Sequence, residues 1–199
     1  MLNVVMFAPE IPANTGNIGR TCVLTGTRLH LIRPLGFRLD DRSLKRAGLD
    51  YWHNLDVTVY GSWDDFLEKS GMTAGPLTPE RLTLLTKKSS RLYTEVDYSP
   101  DGFVVFGSES SGIPEEILVE HESLTARIPM LADDDALSDG DFSREGLARK
   151  NTNDTGWSAE RTDEMASLNL SNAVAIVLFE ALRQNGFPGL SREGHLHKL

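Results

Sequence analysis

A single cysteine, Cys22, is all the thiol chemistry this chain carries. No internal disulfide can form, so the core alone must hold the fold, and a reducing, cytoplasmic setting suits it. Cys22 reads as a small buried hydrophobe rather than a nucleophile. Long apolar runs are missing too. None approaches the ~18 residues of a membrane span, and the first residues lack the basic-then-apolar order of a signal peptide. The expectation is a protein that neither spans a membrane nor is exported. Cations are outnumbered, 20 Lys and Arg against 29 Asp and Glu, for a net charge of −9. That balance argues against a uniformly basic nucleic-acid binder, but its distribution matters more than its sum. Residues 131–166 hold ten acidic and four basic side chains, which leaves the remainder at only −3.

Several nucleotide and hydrolase signatures are absent. No GxGxxG occurs, and Gly107 and Gly112 have the spacing of a phosphate-binding loop without the Lys-Ser/Thr that must follow. Gly-Ser-Glu at 107–109 is not a G-x-S-x-G nucleophile elbow. With these set aside, 199 residues at 40% hydrophobic and 25% charged fit one soluble globular domain, within the prior of about 100–200 residues.

What the chain does have is FVVFGSESSGIP at 103–114. Four consecutive apolar residues predict a strand buried on both faces, as in a parallel sheet. Gly107 ends it and permits close approach of a backbone or ligand. Pro114, Glu115 and Glu116 suit a helix start. In open α/β sheets ligands sit at the carboxyl ends of strands, which puts Glu109 in a candidate site. A plain strand-to-helix connection has the same composition, so this loop alone does not decide.

In chain order, strands are predicted at 3–7, 29–34, 57–60, 82–85, 103–106 and 126–130. After the first, Pro9 and Pro12 predict an extended exit and Asn14-Thr15-Gly16-Asn17 a turn. A helix over 18–26 would then place Arg20 in its first turn, where the dipole opposes a cation and a carboxylate or anionic ligand must compensate. The alternative for Arg20 is a solvated surface cation. In GFRLDDRSLKRAGLDYWH, Asp40 and Asp41 before Arg42, Lys45 and Arg46 complement a helix dipole. The same cations, with Arg38, Tyr51, Trp52 and His53, also suit RNA phosphates and bases. Ser62 is predicted to cap a helix over 63–69. Lys87 and Lys88 fall in a basic loop at the same strand-end edge as Gly107 if the strands are parallel. Residues 131–166 lack an apolar period and read as a polar insertion. Ser171 or Asn172 is predicted to cap a helix that reaches Gln184 and stops before Gly186 and Pro188. Residues 173–181 are apolar nearly all round, a pattern that suits a subunit interface or a deep core.

Together, PEIPANTGNIGRTC, FVVFGSESSGIP and RIPM…SLNLSNAVAIVLFEALRQ resemble the three motifs of the SPOUT superfamily of RNA methyltransferases. Within it, the chain is most similar to the minimal tRNA wobble-nucleotide ribose 2′-O-methyltransferases, the TrmL or YibK type. The resemblance covers nearly everything outside 131–166. It implies an α/β fold in one domain, a mostly parallel sheet with helices on both faces and a C-terminal trefoil knot, in a homodimer.

The implied reaction is metal-free methyl transfer from S-adenosylmethionine to a ribose hydroxyl of tRNA, with S-adenosylhomocysteine as product. Mapped by motif, the implied cofactor residues are Leu85, Gly107, Ile128, Met130, Ser167, Leu168 and Asn169. Arg20, Asn14 and Glu109 form the implied catalytic group. Arg20 is taken as a clamp on ribose and phosphate, since an arginine base must work against a pKa above ~12; proton acceptance by Arg20 or by a substrate phosphate stays open. Glu109 is expected to orient Arg20, within the chain or across the dimer. Two departures stand out. About thirty residues more than usual separate RIPM from SLNLSN in the last motif, and Ala166 occupies a position where an arginine is common.

Overall fold

The computed structural model describes residues 1–38, 52–130 and 167–196. Six strands run β1 (Asn3–Phe7), β2 (Arg28–Ile32), β3 (Val57–Tyr60), β4 (Leu82–Leu85), β5 (Phe103–Phe106) and β6 (Thr125–Ala126). They form one sheet in the order β3-β2-β1-β5-β4-β6, every pairing parallel. Among the described residues, four α-helices accompany it: α1 (Pro12–Thr25), α2 (Trp63–Lys69), α3 (Glu115–Glu120) and α4 (Leu170–Gln184). None is long and apolar enough to cross a membrane. The chain divides into two compact units, Met1–Ile128 with Asn169–Leu199, and Pro129–Leu168.

Both faces of the sheet are covered, which is why its central strands read as unbroken apolar runs. Val4, Met6, Leu29, Leu31, Val104 and Phe106 point to one face and meet Ile18 and Cys22 of α1 and Val174, Val177 and Leu178 of α4. Val5, Leu82, Leu84 and Val105 point to the other and meet Phe66 of α2 and Ile117 and Leu118 of α3. Cys22 is fully buried and its thiol pKa is pushed up to about 12 by burial, so it packs and does not react.

Strands β1, β3, β4 and β5 have the predicted bounds. Ser62 caps α2 by accepting a hydrogen bond from the Asp65 backbone N–H at 3.2 Å. Four boundaries differ. The strand predicted at 29–34 is Arg28–Ile32, ending before Pro34, which has no N–H for a ladder bond. Helix α1 starts at Pro12, so the predicted turn at 14–17 is helical; proline fits the first helical position because its missing N–H has no partner there anyway. The strand predicted at 126–130 is only Thr125–Ala126, since its single neighbour β4 ends at Leu85. Asn169, rather than Ser171 or Asn172, caps α4.

A buried histidine sits mid-strand in β2. His30, 6% exposed, lies between the Tyr60 hydroxyl at 2.8 Å from Nδ1 and the Asn3 side chain at 3.1 Å from Nε2. The Asn3 amide nitrogen already donates to main-chain carbonyls, so its oxygen faces His30 and accepts from Nε2–H, which leaves Nδ1 to accept from Tyr60. This neutral tautomer is the one burial favours, and the His30 pKa is lowered to about 4. At ~1.4 kcal/mol per pH unit, that shift corresponds to about 3 kcal/mol of folding stability. The contribution is complete above the unfolded-state value near 6.5 and is lost as pH falls toward 4. Urea unfolding of the wild type and His30→Gln at pH 7.5 and 4.5 should therefore show a larger acid-induced loss in the wild type. Equal losses in the two proteins would contradict this assignment.

Candidate active site

The site is built where the strand order reverses. β1 leads away to β2 and β3, while β5 and β4 lie on its other side, so the loops leaving β1 and β5 diverge from a shared edge. After β5, the chain folds back on itself. Ser108 and Gly112 exchange two backbone hydrogen bonds, both 3.1 Å, and Gly112 takes φ 72° to close the return. Gly107 is buried against this return: a Cβ there would lie 2.0 Å from the Gly112 carbonyl carbon and 2.2 Å from the Ile113 nitrogen. Its lack of a side chain first serves the loop's own crossing.

That loop presents Glu109 to the start of α1. The carboxylate accepts from the backbone N–H groups of Glu10 at 2.9 Å and Ile11 at 3.3 Å, and from the Asn14 side-chain amide at 2.9 Å. The α1 N-cap, Ile11, has no capping side chain of its own. A carboxylate brought from nearly a hundred residues away fills that place, where the helix dipole favours a negative charge. Ser110 adds a bond from its hydroxyl to the Glu10 carboxylate at 2.5 Å. The chain of bonds continues to α4. Asn169 donates from Nδ2 to Asn14 Oδ1 at 3.0 Å, and its own Oδ1 accepts from the Ser171 N–H at 2.9 Å and hydroxyl at 2.7 Å. Every amide orientation in the series is thereby set, since Glu109 can only accept when ionised.

Arg20 stands differently from the expectation. It is the ninth residue of α1, not in its first turn, so the predicted conflict with the dipole does not arise. It is exposed and has no hydrogen-bond or ion-pair partner among the described residues. Within the chain Glu109 anchors Asn14 and the entry to α1 instead of holding Arg20.

The implied cofactor residues fall in two groups. Leu85 ends β4, paired with Phe106 on one side and Ala126 on the other, so Gly107 and Ile128 follow at the same edge. Leu85 and Ile128 are half-buried against the α1–α4 side of the core. Half-exposed apolar strand ends beside a glycine fit a flat apolar ring, and their exposed edges leave backbone groups for its polar atoms. Met130 is half-buried, and Ser167 and Leu168 are exposed, in the second unit. Asn169 joins the hydrogen-bonded series above. Of the basic residues, Lys87 and Lys88 are exposed after β4, at the predicted edge. Arg42, Lys45 and Arg46 lie outside the described residues, as does the 131–166 insertion. Trp52, offered as a base-stacking residue, is half-buried and packs on the core. Ser171 is the member of the series missed as a partner of Asn169; an asparagine two residues before a serine at a helix start was the available signal.

A model of the SpoU rRNA methylase family matches residues 1–137, well over half of the chain. The chain belongs to the SpoU methylase family. Among its SpoU relatives, a putative tRNA (cytidine(34)-2′-O)-methyltransferase of Listeria innocua is 43% identical over 194 residues, covering 96% of this chain and 92% of that protein. A tRNA (cytidine(34)-2′-O)-methyltransferase of Saccharophagus degradans is 41% identical, covering 95% and 99%. Among solved SpoU-type folds, a putative RNA methyltransferase from Bacillus anthracis superposes with a TM-score of 0.73 at 41% identity, covering 97% of this chain and 99% of that one. A structure described as giving insights into 2-OH methylation of C/U34 on tRNA superposes at 0.67 with 34% identity, covering 94% and 97%. The SPOUT-class parallel sheet expected from the motifs is therefore the fold observed.

Proposed function

We propose that this enzyme methylates the ribose 2′-hydroxyl of nucleotide 34, the wobble cytidine or uridine, of a tRNA, using S-adenosylmethionine. The observation that carries the reading is the hydrogen-bonded junction of Asn14, Glu109 and Asn169, one residue from each of three distant motifs. Relatives alike over nearly their whole length and named for this reaction support it. When bound, S-adenosylmethionine supplies an electrophilic methyl on a sulfonium. The chain must then orient a weakly nucleophilic hydroxyl and accommodate its departing proton.

In this reading Leu85, Gly107, Ile128, Met130, Ser167 and Leu168 line the cofactor site. Asn169, through Asn14 and Glu109, ties that site to α1. Arg20 projects from the anchored helix and clamps the ribose and phosphate of the target. The C-terminal segment closes a trefoil knot around the cofactor, and Arg42, Lys45, Arg46, Lys87 and Lys88 contact RNA phosphates. A homodimer is supported by apolar side chains left exposed on the two packed helices, Leu24 at 70% on α1 and Ile176 at 37% and Phe179 at 48% on α4. The buried, unreactive Cys22 agrees with a cytoplasmic setting.

The test is transfer of labelled methyl to unmodified tRNA transcripts, mapped by nuclease digestion, on a sample sized by light scattering. Label at the 2′-oxygen of nucleotide 34, from a species twice 22 kDa, is expected. Label elsewhere would reassign the target, absence of transfer would leave an RNA-binding module, and a 22 kDa monomer would remove the dimer.

A further inference from the structure

A cavity lies at the same edge of the sheet, outside the hydrogen-bonded series of Asn14, Glu109 and Asn169. Its volume is about 660 Å³, and it opens between the loop after β4 and helix α3. Thr86, Ser89 and Thr125 line it with hydroxyls, Lys88 and Arg91 with cations, and Glu115 and Glu122 with carboxylates. Its apolar wall, Leu118, belongs to the core on the α2–α3 face, whereas Leu85 and Ile128 pack on the α1–α4 face. The cavity therefore sits across the sheet from the proposed cofactor slot.

Most of its polar groups are fixed. The Ser89 and Thr125 hydroxyls are buried 2.9 Å apart, the Arg91 N–H donates to Ser89 Oγ at 3.2 Å, and the Arg91 guanidinium donates to the Ser123 carbonyl at 3.0 Å. Lys88 is held differently. Among the described residues its ammonium pairs only with Glu115, and both side chains are 59% exposed. Such a pair is worth only ~0–1 kcal/mol, so a doubly solvated phosphate can take the lysine from it. Hydroxyls and two carboxylates suit the hydroxyls of a ribose, the two cations suit a phosphate, and the volume falls in the ~300–1,000 Å³ range of ligand sites. Because β4 and β5 are adjacent and parallel, the 86–91 loop and the Gly107 loop leave one edge, and Glu115 continues directly from the latter. A strand running along that edge meets both.

We infer that this cavity takes a ribose-phosphate unit of the substrate RNA next to the nucleotide being methylated, with Glu115 holding Lys88 until the phosphate displaces it. The inference rests on the proposed RNA substrate. It is tested by fluorescence anisotropy with a labelled anticodon stem-loop over a salt series. Lys88→Ala should weaken binding and flatten the slope of log affinity against log salt by about 0.7–0.9, the value of one phosphate contact. Glu115→Gln should tighten binding roughly two- to fivefold at low salt, the equivalent of losing one exposed competing pair. Both should bind S-adenosylhomocysteine as the wild type does, because they lie across the sheet from its slot. Unchanged RNA affinity and slope in Lys88→Ala would overturn the inference. So would saturation of the cavity by free 5′-cytidine monophosphate at micromolar concentration with stem-loop binding undisturbed, which would make it a free-nucleotide site. A wild type that neither binds nor methylates the RNA would instead remove the proposed function itself.

Discussion

Arg20→Ala is expected to lower methyl transfer to tRNA by roughly 10²–10³-fold, the cost of removing one preorganised charged donor from a reacting centre. The rest of the molecule should hardly register the change. Arg20 is exposed on α1 and bonds no described residue, so stability should move by no more than about 0.5 kcal/mol. Affinity for S-adenosylhomocysteine should also be preserved, because the proposed slot is lined by Leu85, Gly107 and Ile128 and not by α1. Arg20→Lys should recover little, since a point charge does not reproduce a planar fork that grips phosphate and ribose together. Single-turnover rates with saturating cofactor separate the outcomes. Near-normal turnover by either variant would make Arg20 an ordinary surface cation and would move the clamp elsewhere.

Gly107→Ala is expected to damage stability and cofactor binding together. The added Cβ would sit 2.0 Å from a backbone carbon that is itself pinned by the paired hydrogen bonds between Ser108 and Gly112. Backbone, unlike a side-chain end, cannot swing away, so the loop must open. Overpacking of this kind costs ~1–3 kcal/mol or more, which for a chain of this size is a fall of several degrees in Tm. Opening the loop also carries Glu109 away from Glu10, Ile11 and Asn14, so methyl transfer should fall further than stability alone explains. Gly112→Ala is the control. Gly112 has φ 72° but open space around its missing Cβ, so only backbone strain of ~1–2 kcal/mol is expected. Calorimetry with S-adenosylhomocysteine and thermal unfolding of both variants provide the readouts. A Gly107→Ala protein with wild-type Tm and affinity would contradict the crossing as the reason for this glycine.

The Glu109 anchor explains why α1 begins earlier than its local sequence predicts. Asn14-Thr15-Gly16-Asn17 favours a turn on local grounds, and two prolines precede it. A helix starts there nonetheless, at Pro12. The carboxylate that compensates its capless entry comes from the loop after β5, 98 residues from Ile11. No window on the local sequence contains that acceptor. A start at residue 18 would put Arg20 in the first turn against the dipole; the start at Pro12 puts it in the middle of α1, where that conflict is absent.

What the sequence determined by itself was everything encoded by local periodicity and by side-chain chemistry at element ends. Asn3–Phe7 and Phe103–Phe106 are strands with the predicted bounds because buried parallel strands are short continuous apolar runs. Ser62 announces α2 because its hydroxyl reaches an N–H only three residues on. Tertiary structure alone decided which loops meet. Parallel pairing brings the exits of β1 and β5 to one edge, and only then can Glu109 reach Asn14, and Asn14 reach Asn169, 155 residues further along. The physical reason is range. Apolar pattern and capping act over a few residues, whereas a hydrogen bond between distant segments exists only after the sheet has set the positions of both.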